Sequence, residues 1–134
     1  MTSVVDASVV VAALVDTGPN GAWAEDILSV GPLLAPHLLP VEVASVLRRS
    51  VKAGLLSPDM ATLAHADLLD LPVELIPYGP AAHRVWELRE NLTTYDAWYV
   101  ATAELFDAPL ATLDQRLARA SGPTCTFLTP PRRS

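Results

Sequence analysis

Four acidic residues stand out for where they fall: Asp6, Glu42, Asp96 and Asp114. Asp6 follows the β-branched run from Thr2 to Val5, and Asp114 follows Leu110-Ala111-Thr112-Leu113, so each closes a short strand. Glu42 and Asp96 sit in apolar company, within Pro40-Val41-Glu42-Val43-Ala44 and Tyr95-Asp96-Ala97-Trp98, at positions expected in the first turns of helices. An acid among apolar neighbours is either satisfied locally or functional. Open parallel sheets bind ligands beyond the carboxyl ends of their strands. Four acids at matching ends of successive strand–helix units would therefore converge on one cleft. Converging carboxylates repel one another unless a cation sits among them, and an all-oxygen set of hard ligands selects Mg²⁺ or Mn²⁺.

Each acid also has a simpler role open to it. Asp6 and Asp114 could be helix N-caps, Glu42 could complement a helix dipole, and Thr93-Thr94-Tyr95-Asp96 has the spacing of a capping box. Taken singly, neither role is favoured. The joint arrangement favours a shared site.

Elements must hold these residues in place. Thr2 to Val5 reads as a strand leading directly into an Ala-rich helix that stops at Thr17-Gly18-Pro19. Asn20 to Val30 reads as a second helix, and Leu33-Leu34-Ala35 as a very short strand between Pro32 and Pro36. A helix from Val41 to Ala53 has Pro40 at its first turn and Gly54 as its C-terminal cap. Ser57-Pro58-Asp59 starts a fourth helix that reaches Leu69 and is ended by Pro72. Val73-Glu74-Leu75-Ile76 alternates like a strand, Gly79-Pro80 opens a helix to Glu90, and Thr93 caps a helix from Tyr95 to Phe106. The strand Leu110 to Leu113, a short helix from Asp114 and a last strand at Thr126-Phe127-Leu128 complete the series. Strands alternating with helices imply parallel pairing through crossover helices. The expected fold is a single α/β domain over residues 1–128, with a central, mainly parallel sheet of four to five short strands flanked by helices on both faces. A short basic tail follows at 129–134.

Composition narrows the field. The chain has 134 residues, 51% of them hydrophobic, enough for one core. The lone Cys125 allows no internal disulfide, and no Cys/His cluster suggests zinc, so a reducing cytoplasm suits the chain. Val9 to Leu14, between Asp6 and Asp16, is too short to span a membrane and has no basic segment before it, so neither a signal peptide nor a membrane anchor is expected. With 15 acidic residues against 9 basic ones, a general electrostatic grip on nucleic acid is disfavoured, though a small metal-dependent site is not. Arg48, Arg49 and Lys52 form the one dense basic cluster, and Arg49 lies seven residues, about two helical turns, beyond Glu42. His37, His65 and His83 lack ligand spacing and read as structural, and Trp23, Trp86 and Trp98 read as core or interface.

The stretches Val4-Val5-Asp6-Ala7-Ser8, Pro40-Val41-Glu42-Val43-Ala44, Thr94-Tyr95-Asp96-Ala97-Trp98-Tyr99-Val100-Ala101 and Ala111-Thr112-Leu113-Asp114 together resemble the PIN-domain ribonucleases. The resemblance is nearest to the VapC-type toxins of bacterial type II toxin–antitoxin pairs, and it runs through essentially the whole chain. It implies a PIN-like fold in which Asp6, Glu42, Asp96 and Asp114 hold one or two Mg²⁺ or Mn²⁺ ions. Asp6 and Asp96 would be direct ligands, Glu42 a ligand through water or a base for the attacking water, and Asp114 an outer anchor. Ser8 and Thr112 would orient the acids or touch a substrate phosphate, and Arg49 could hold RNA backbone. Many relatives carry a further acid just after the fourth; this chain has Gln115, Arg116 and Leu117 there, which tells against a fully occupied second metal site.

The activity so implied is metal-assisted hydrolysis of RNA, with tRNA or ribosomal RNA as substrate, arrest of translation and growth as its effect, and a cognate antitoxin as partner. The resemblance also implies a homodimer through the helices flanking Asp96, with Trp86, Leu88, Trp98 and Tyr99 as apolar candidates. Two phosphoaspartate folds also place an Asp after the first strand. The dehalogenase type needs a second Asp where this chain has Ser8, and a receiver domain needs a late Lys where the only Lys is Lys52. The remaining alternative is a PIN fold kept as an RNA-binding or protein-interaction module without catalysis. Such loss usually removes acids, and all four are present.

Overall fold

Val4 and Val5 are wholly buried because β1 (Ser3–Val5) is the central strand of a sheet. Strands buried on both faces read as unbroken apolar runs, and β2 (Leu33–Pro36) is buried at all four positions in the same way. The computed structural model describes residues 1–132. Its five strands, completed by β3 (Val73–Ile76), β4 (Leu110–Ala111) and β5 (Phe127–Leu128), are all parallel and ordered β3-β2-β1-β4-β5. The chain steps outward from β1 in one direction to β3 and then returns to build the other side. β1 and β4 therefore flank the point where strand order reverses, with Val4 opposite Leu110 and Val5 opposite Ala111.

Seven helices flank the sheet. α1 (Ala7–Val15) packs against α2 (Pro19–Ser29), α3 (Leu39–Lys52) and α4 (Pro58–Asp70). α6 (Thr94–Leu105) lies along β1, β2 and β4 and carries α5 (Ala82–Glu87), while α7 (Gln115–Ala118) is a single turn after β4. The single α/β domain with a parallel sheet matches the expectation, with boundary shifts that have local causes. α3 begins at Leu39, ahead of Val41, with Pro40 accommodated in its first turn, and it ends at Lys52, one residue before the expected Ala53, with Gly54 closing its C-terminus as expected. Gly54 has φ +74°, and the N–H groups of Gly54 and Leu55 donate back to Val51 and Ser50, the Schellman pattern that only a residue tolerating positive φ completes cheaply.

The helix expected from Gly79 to Glu90 is instead a 3₁₀ turn at Gly79–Ala81 followed by α5, which stops at Glu87. There the Leu88 N–H is shared between the carbonyls of Arg84 and Val85, tightening the end and turning Leu88 into the core. β4 stops at Ala111, two residues before Leu113: the Thr112 N–H still donates to the Leu128 carbonyl, but those of Leu113 and Asp114 leave the ladder for side-chain hydroxyls.

The C-terminal segment is held by one cation. Arg84 donates through Nε to Glu104 Oε1 at 2.6 Å and through Nη2 to the carbonyl of Gly122 at 2.9 Å, while Glu104 Oε2 accepts the N–H of Thr124 at 2.8 Å. Gly122, at φ +108°, passes so close to Leu88 and Asn91 that a Cβ would crowd them. Of the expected tail, Thr129 and Pro130 are half-buried, and residues 133 and 134 lie outside the described residues. Among the described residues no helix is long and apolar enough to cross a membrane.

The Glu104 cluster gives a stability prediction. The Arg84 guanidinium and the Thr124 N–H outweigh burial and hold the Glu104 carboxyl below its usual range. Its contribution is therefore present above the unfolded carboxylate pKa and is lost as pH falls through the lower folded value. Glu104→Gln should cost about 1–3 kcal/mol at pH 7, an ionised acceptor being the stronger partner. The deficit should shrink in urea titrations repeated below pH 4; an equal deficit at both pH values would contradict this account.

Candidate active site

Asp6 is the residue after β1 and the N-cap of α1, with 8% of its surface exposed. Every donor it needs is local or directly across the sheet. Oδ1 accepts from the Ser8 hydroxyl at 2.5 Å and from the Val9 N–H at 3.2 Å, and Oδ2 accepts from the Thr112 hydroxyl at 2.5 Å. The two hydroxyls also accept: Leu113 N–H donates to Ser8 Oγ and Asp114 N–H to Thr112 Oγ1, both at 3.0 Å. The network fixes the chain path after β4 and sets Asp114 as the N-cap of α7, where Oδ1 takes the N–H groups of Arg116 and Leu117. Ser8 and Thr112 thus orient two of the four acids.

The other two acids arrive on helices. Glu42 is in the first turn of α3 and Asp96 in the first turn of α6, whose cap is Thr93; the Asp96 N–H donates to Thr93 Oγ1 at 3.1 Å. The structure brings all four into electrostatic contact. Burial first, and then the charge of Asp96, raise the Asp6 carboxyl above its ordinary range, against the lowering effect of its hydrogen bonds. Burial raises Glu42, with Asp96 and Asp6 adding to it and the Tyr99 hydroxyl and Arg49 opposing. Burial raises Asp96, with Asp114 adding and Thr93 and Arg116 opposing.

Arg49 is exposed, donates to Ser45 Oγ at 3.0 Å, and lines a groove of about 390 Å³ with Glu42, Val41 and Tyr95. Arg49 and Glu42 thus give that groove one cationic and one acidic side chain. Among the described residues no three His, Cys, Asp or Glu side chains already stand as a metal-binding group, so the acids border the cleft and do not form a ready cage. Their chemistry nevertheless fits a hard cation. The donors are all oxygen, three of the four are raised by burial and mutual repulsion, and Glu42 Oε1 is buried with no hydrogen-bond partner. A buried unpaired acceptor costs about 1–3 kcal/mol, which a cation or a donor would offset.

One residue of this site was not picked out by sequence pattern as part of it. Tyr99, expected at a dimer face, is 2% exposed and sits one helical turn after Asp96, with its hydroxyl beside Glu42. The spacing of three from Asp96 on one helix was the available signal. Leu88, also expected at that face, is likewise in the core, and Trp98 is half-buried with its ring edge-on to Tyr78 at 5.2 Å; of the four only Trp86 is exposed. His37, His65 and His83 lie exposed on the surface, so the structural role expected of them is not an interior one. Burial and Glu104 push the Cys125 thiol up to about 11, which removes it as a nucleophile at neutral pH.

Comparison with known proteins agrees with the fold. A PIN-domain family model matches residues 3–123. Ribonuclease VapC1 of Mycobacterium tuberculosis is 42% identical over 123 residues, covering 91% of this chain and 92% of that protein. The fold is similar to a chain in the crystal structure of VapBC2 from Rickettsia felis bound to a promoter DNA fragment, with a TM-score of 0.69 at 13% identity, covering 96% of this chain and 98% of that one. It is also similar to a chain of a toxin–antitoxin complex from Klebsiella pneumoniae, with a TM-score of 0.66 at 19% identity, covering 98% and 99%.

The raised acids set a pH dependence. A carboxyl whose folded pKa lies above its unfolded value favours the folded state below the unfolded pKa, and that advantage is lost as pH rises through the folded value. Asp6, Glu42 and Asp96 all shift in this direction. In EDTA the protein should melt higher near pH 5 than near pH 7.5, and the difference should narrow in Mn²⁺. Differential scanning calorimetry at the two pH values checks this, and melting that rises steadily from pH 5 to 7.5 in EDTA would refute it.

Proposed function

This chain belongs to the PIN-domain family, within its VapC branch, and on that footing we propose that it is a Mg²⁺- or Mn²⁺-dependent endoribonuclease, the toxin of a toxin–antitoxin pair. The observation that carries the reading is the convergence of Asp6, Glu42, Asp96 and Asp114 where strand order reverses, with Asp6 fixed by Ser8 and Thr112. The names of the curated relatives, ribonucleases at 36–42% identity, support the activity.

In this reading Asp6 and Asp96 would hold the ion directly, Glu42 would be a ligand through water or a base for the attacking water, and Asp114 would be an outer anchor. When bound, the ion supplies a water of lowered pKa and neutralises charge on the phosphate oxygens. The protein's own residues do the rest. Ser8 and Thr112 favour the ionised form of Asp6, against the effect of burial, and aim it, because each donates to it. Glu42 accepts a proton from the attacking water, and Arg49 draws the RNA backbone into the groove beside Glu42. The acids bring no affinity for phosphate until the cation is present, which makes metal and substrate binding mutually dependent.

The further proposals are a tRNA or ribosomal RNA target, a resulting arrest of translation and growth, a cytoplasmic location, a cognate antitoxin and a two-fold homodimer. The antitoxin reading draws on a structural neighbour that is a chain of a toxin–antitoxin complex. Burial of Leu88 and Tyr99 narrows the dimer face to the surface around Trp86 on α5, whose ring is covered by Arg89 at 4.6 Å.

Two measurements test the reading. Cleavage of RNA should require Mg²⁺ or Mn²⁺ and cease in EDTA; cleavage that persists in EDTA would refute the metal role. Asp96→Asn removes one repelling charge while keeping shape, so in EDTA it should melt no lower than the parent, yet cleave RNA at least about a hundredfold more slowly. Were Asp96 only a capping-box acid, the variant would lose up to about 1 kcal/mol of stability and stay active.

A further inference from the structure

Tyr99 poses a problem that packing alone does not solve. Its ring is in the core, but its hydroxyl and Glu42 Oε1 are both buried without a hydrogen-bond partner, and they lie beside each other. A core that needed only an aromatic ring would be served by phenylalanine, which leaves no polar atom to satisfy. The hydroxyl is a donor and the carboxylate oxygen an acceptor, and no donor is within hydrogen-bond distance of that oxygen among the described residues. Tyr99 also stands three residues after Asp96 on α6, whereas Glu42 belongs to α3. A bond between them would tie the two helices together at the acids.

We propose that Tyr99 is a positioning residue: its hydroxyl donates to Glu42 and holds that carboxylate in register with Asp6 and Asp96. The inference rests on the ribonuclease reading for its kinetic consequence but not for the bond itself. A tyrosine hydroxyl is protonated at neutral pH, so Tyr99 acts toward Glu42 only as donor. It moves no proton in the reaction. It keeps the Glu42 carboxylate in one orientation, as an acceptor, in a cleft where repulsion from Asp6 and Asp96 would otherwise turn it away. The Tyr of the motif Tyr95-Asp96-Ala97-Trp98-Tyr99 thereby has a function separate from the bulk of its ring.

The test is Tyr99→Phe, which keeps the ring and deletes the hydroxyl, alongside Glu42→Gln and the double variant. In Mn²⁺ the single Tyr99→Phe change should lower kcat roughly tenfold or more with KM for RNA within about twofold, and should add nothing further on Glu42→Gln. Carboxylate ¹³C NMR of glutamate-labelled protein in EDTA reads the bond without metal or RNA: the Glu42 signal, assigned by its absence in Glu42→Gln, should move in Tyr99→Phe. A purely structural Tyr99 would give a lower melting temperature with kcat unchanged per folded molecule and an unmoved Glu42 signal. That result, or additive losses in the double variant, overturns the proposal. A parent that shows the NMR shift but no metal-dependent cleavage overturns the ribonuclease reading and leaves the Tyr99–Glu42 bond standing.

Discussion

A carboxylate at the end of a central parallel strand is the constraint on which this architecture turns. Asp6 follows two wholly buried valines, and charge in that setting is tolerated only when every oxygen has a donor. Two of those donors are hydroxyls, Ser8 from its own helix and Thr112 from just beyond the neighbouring strand, 106 residues away in sequence. Hydroxyls also accept, and these two take the N–H groups of Leu113 and Asp114, which would otherwise be free at the end of β4. One buried charge therefore fixes the start of α1, the end of β4 and the start of α7 together. Losing the Thr112 hydroxyl would unpair both Asp6 Oδ2 and the Asp114 N–H, whereas losing that of Ser8 would unpair the Leu113 N–H and leave Oδ1 with the Val9 N–H alone.

The same cleft opposes folding. Asp6, Glu42 and Asp96 are raised by burial and by one another or by Asp114, and the nearby cations Arg49 and Arg116 are exposed and only partly compensate. The better-buried ion pair, Arg84 with Glu104, is spent on the C-terminal segment. Stability comes from elsewhere: an all-parallel sheet with apolar faces and helices packed on it. The arrangement is intelligible when the acids are kept for binding and the core offsets their repulsion, a division common at functional sites.

The alternation of elements, the parallel sheet and the positions of Asp6, Glu42, Asp96 and Asp114 could be read from residue order, because strand-end acids and helix-start residues follow local rules. The short β4 could not, since its end is set by the Ser8 hydroxyl, which takes the Leu113 N–H from across the sheet, and by Thr112 Oγ1, which takes the Asp114 N–H. Nor could the early end of α5, which depends on Leu88 turning into the core beside Gly122. Tyr99 was misplaced for a related reason. An apolar stripe on a helix does not say whether it meets the sheet or another molecule, and α6 turns Tyr99 inward while α5 leaves Trp86 outward.

Capping and site-building prove to be one device here. Asp6 and Asp114 do cap α1 and α7, as the simpler reading of each acid holds, but both capping bonds of Asp114 fall on a single oxygen, and Asp6 is gripped at both. At α6 the neighbouring Thr93 is the cap, so the helix start does not depend on the Asp96 carboxylate. Glu42 occupies the first turn of α3 without a side-chain cap on that helix. All four acids thus sit at or near helix N-termini, whose partial positive charge favours the ionised form. That field works against the raising effect of burial and repulsion. A helix start aims an acid and lowers the cost of its charge, which makes it a suitable place to set carboxylates that must stay ionised in a partly dry cleft.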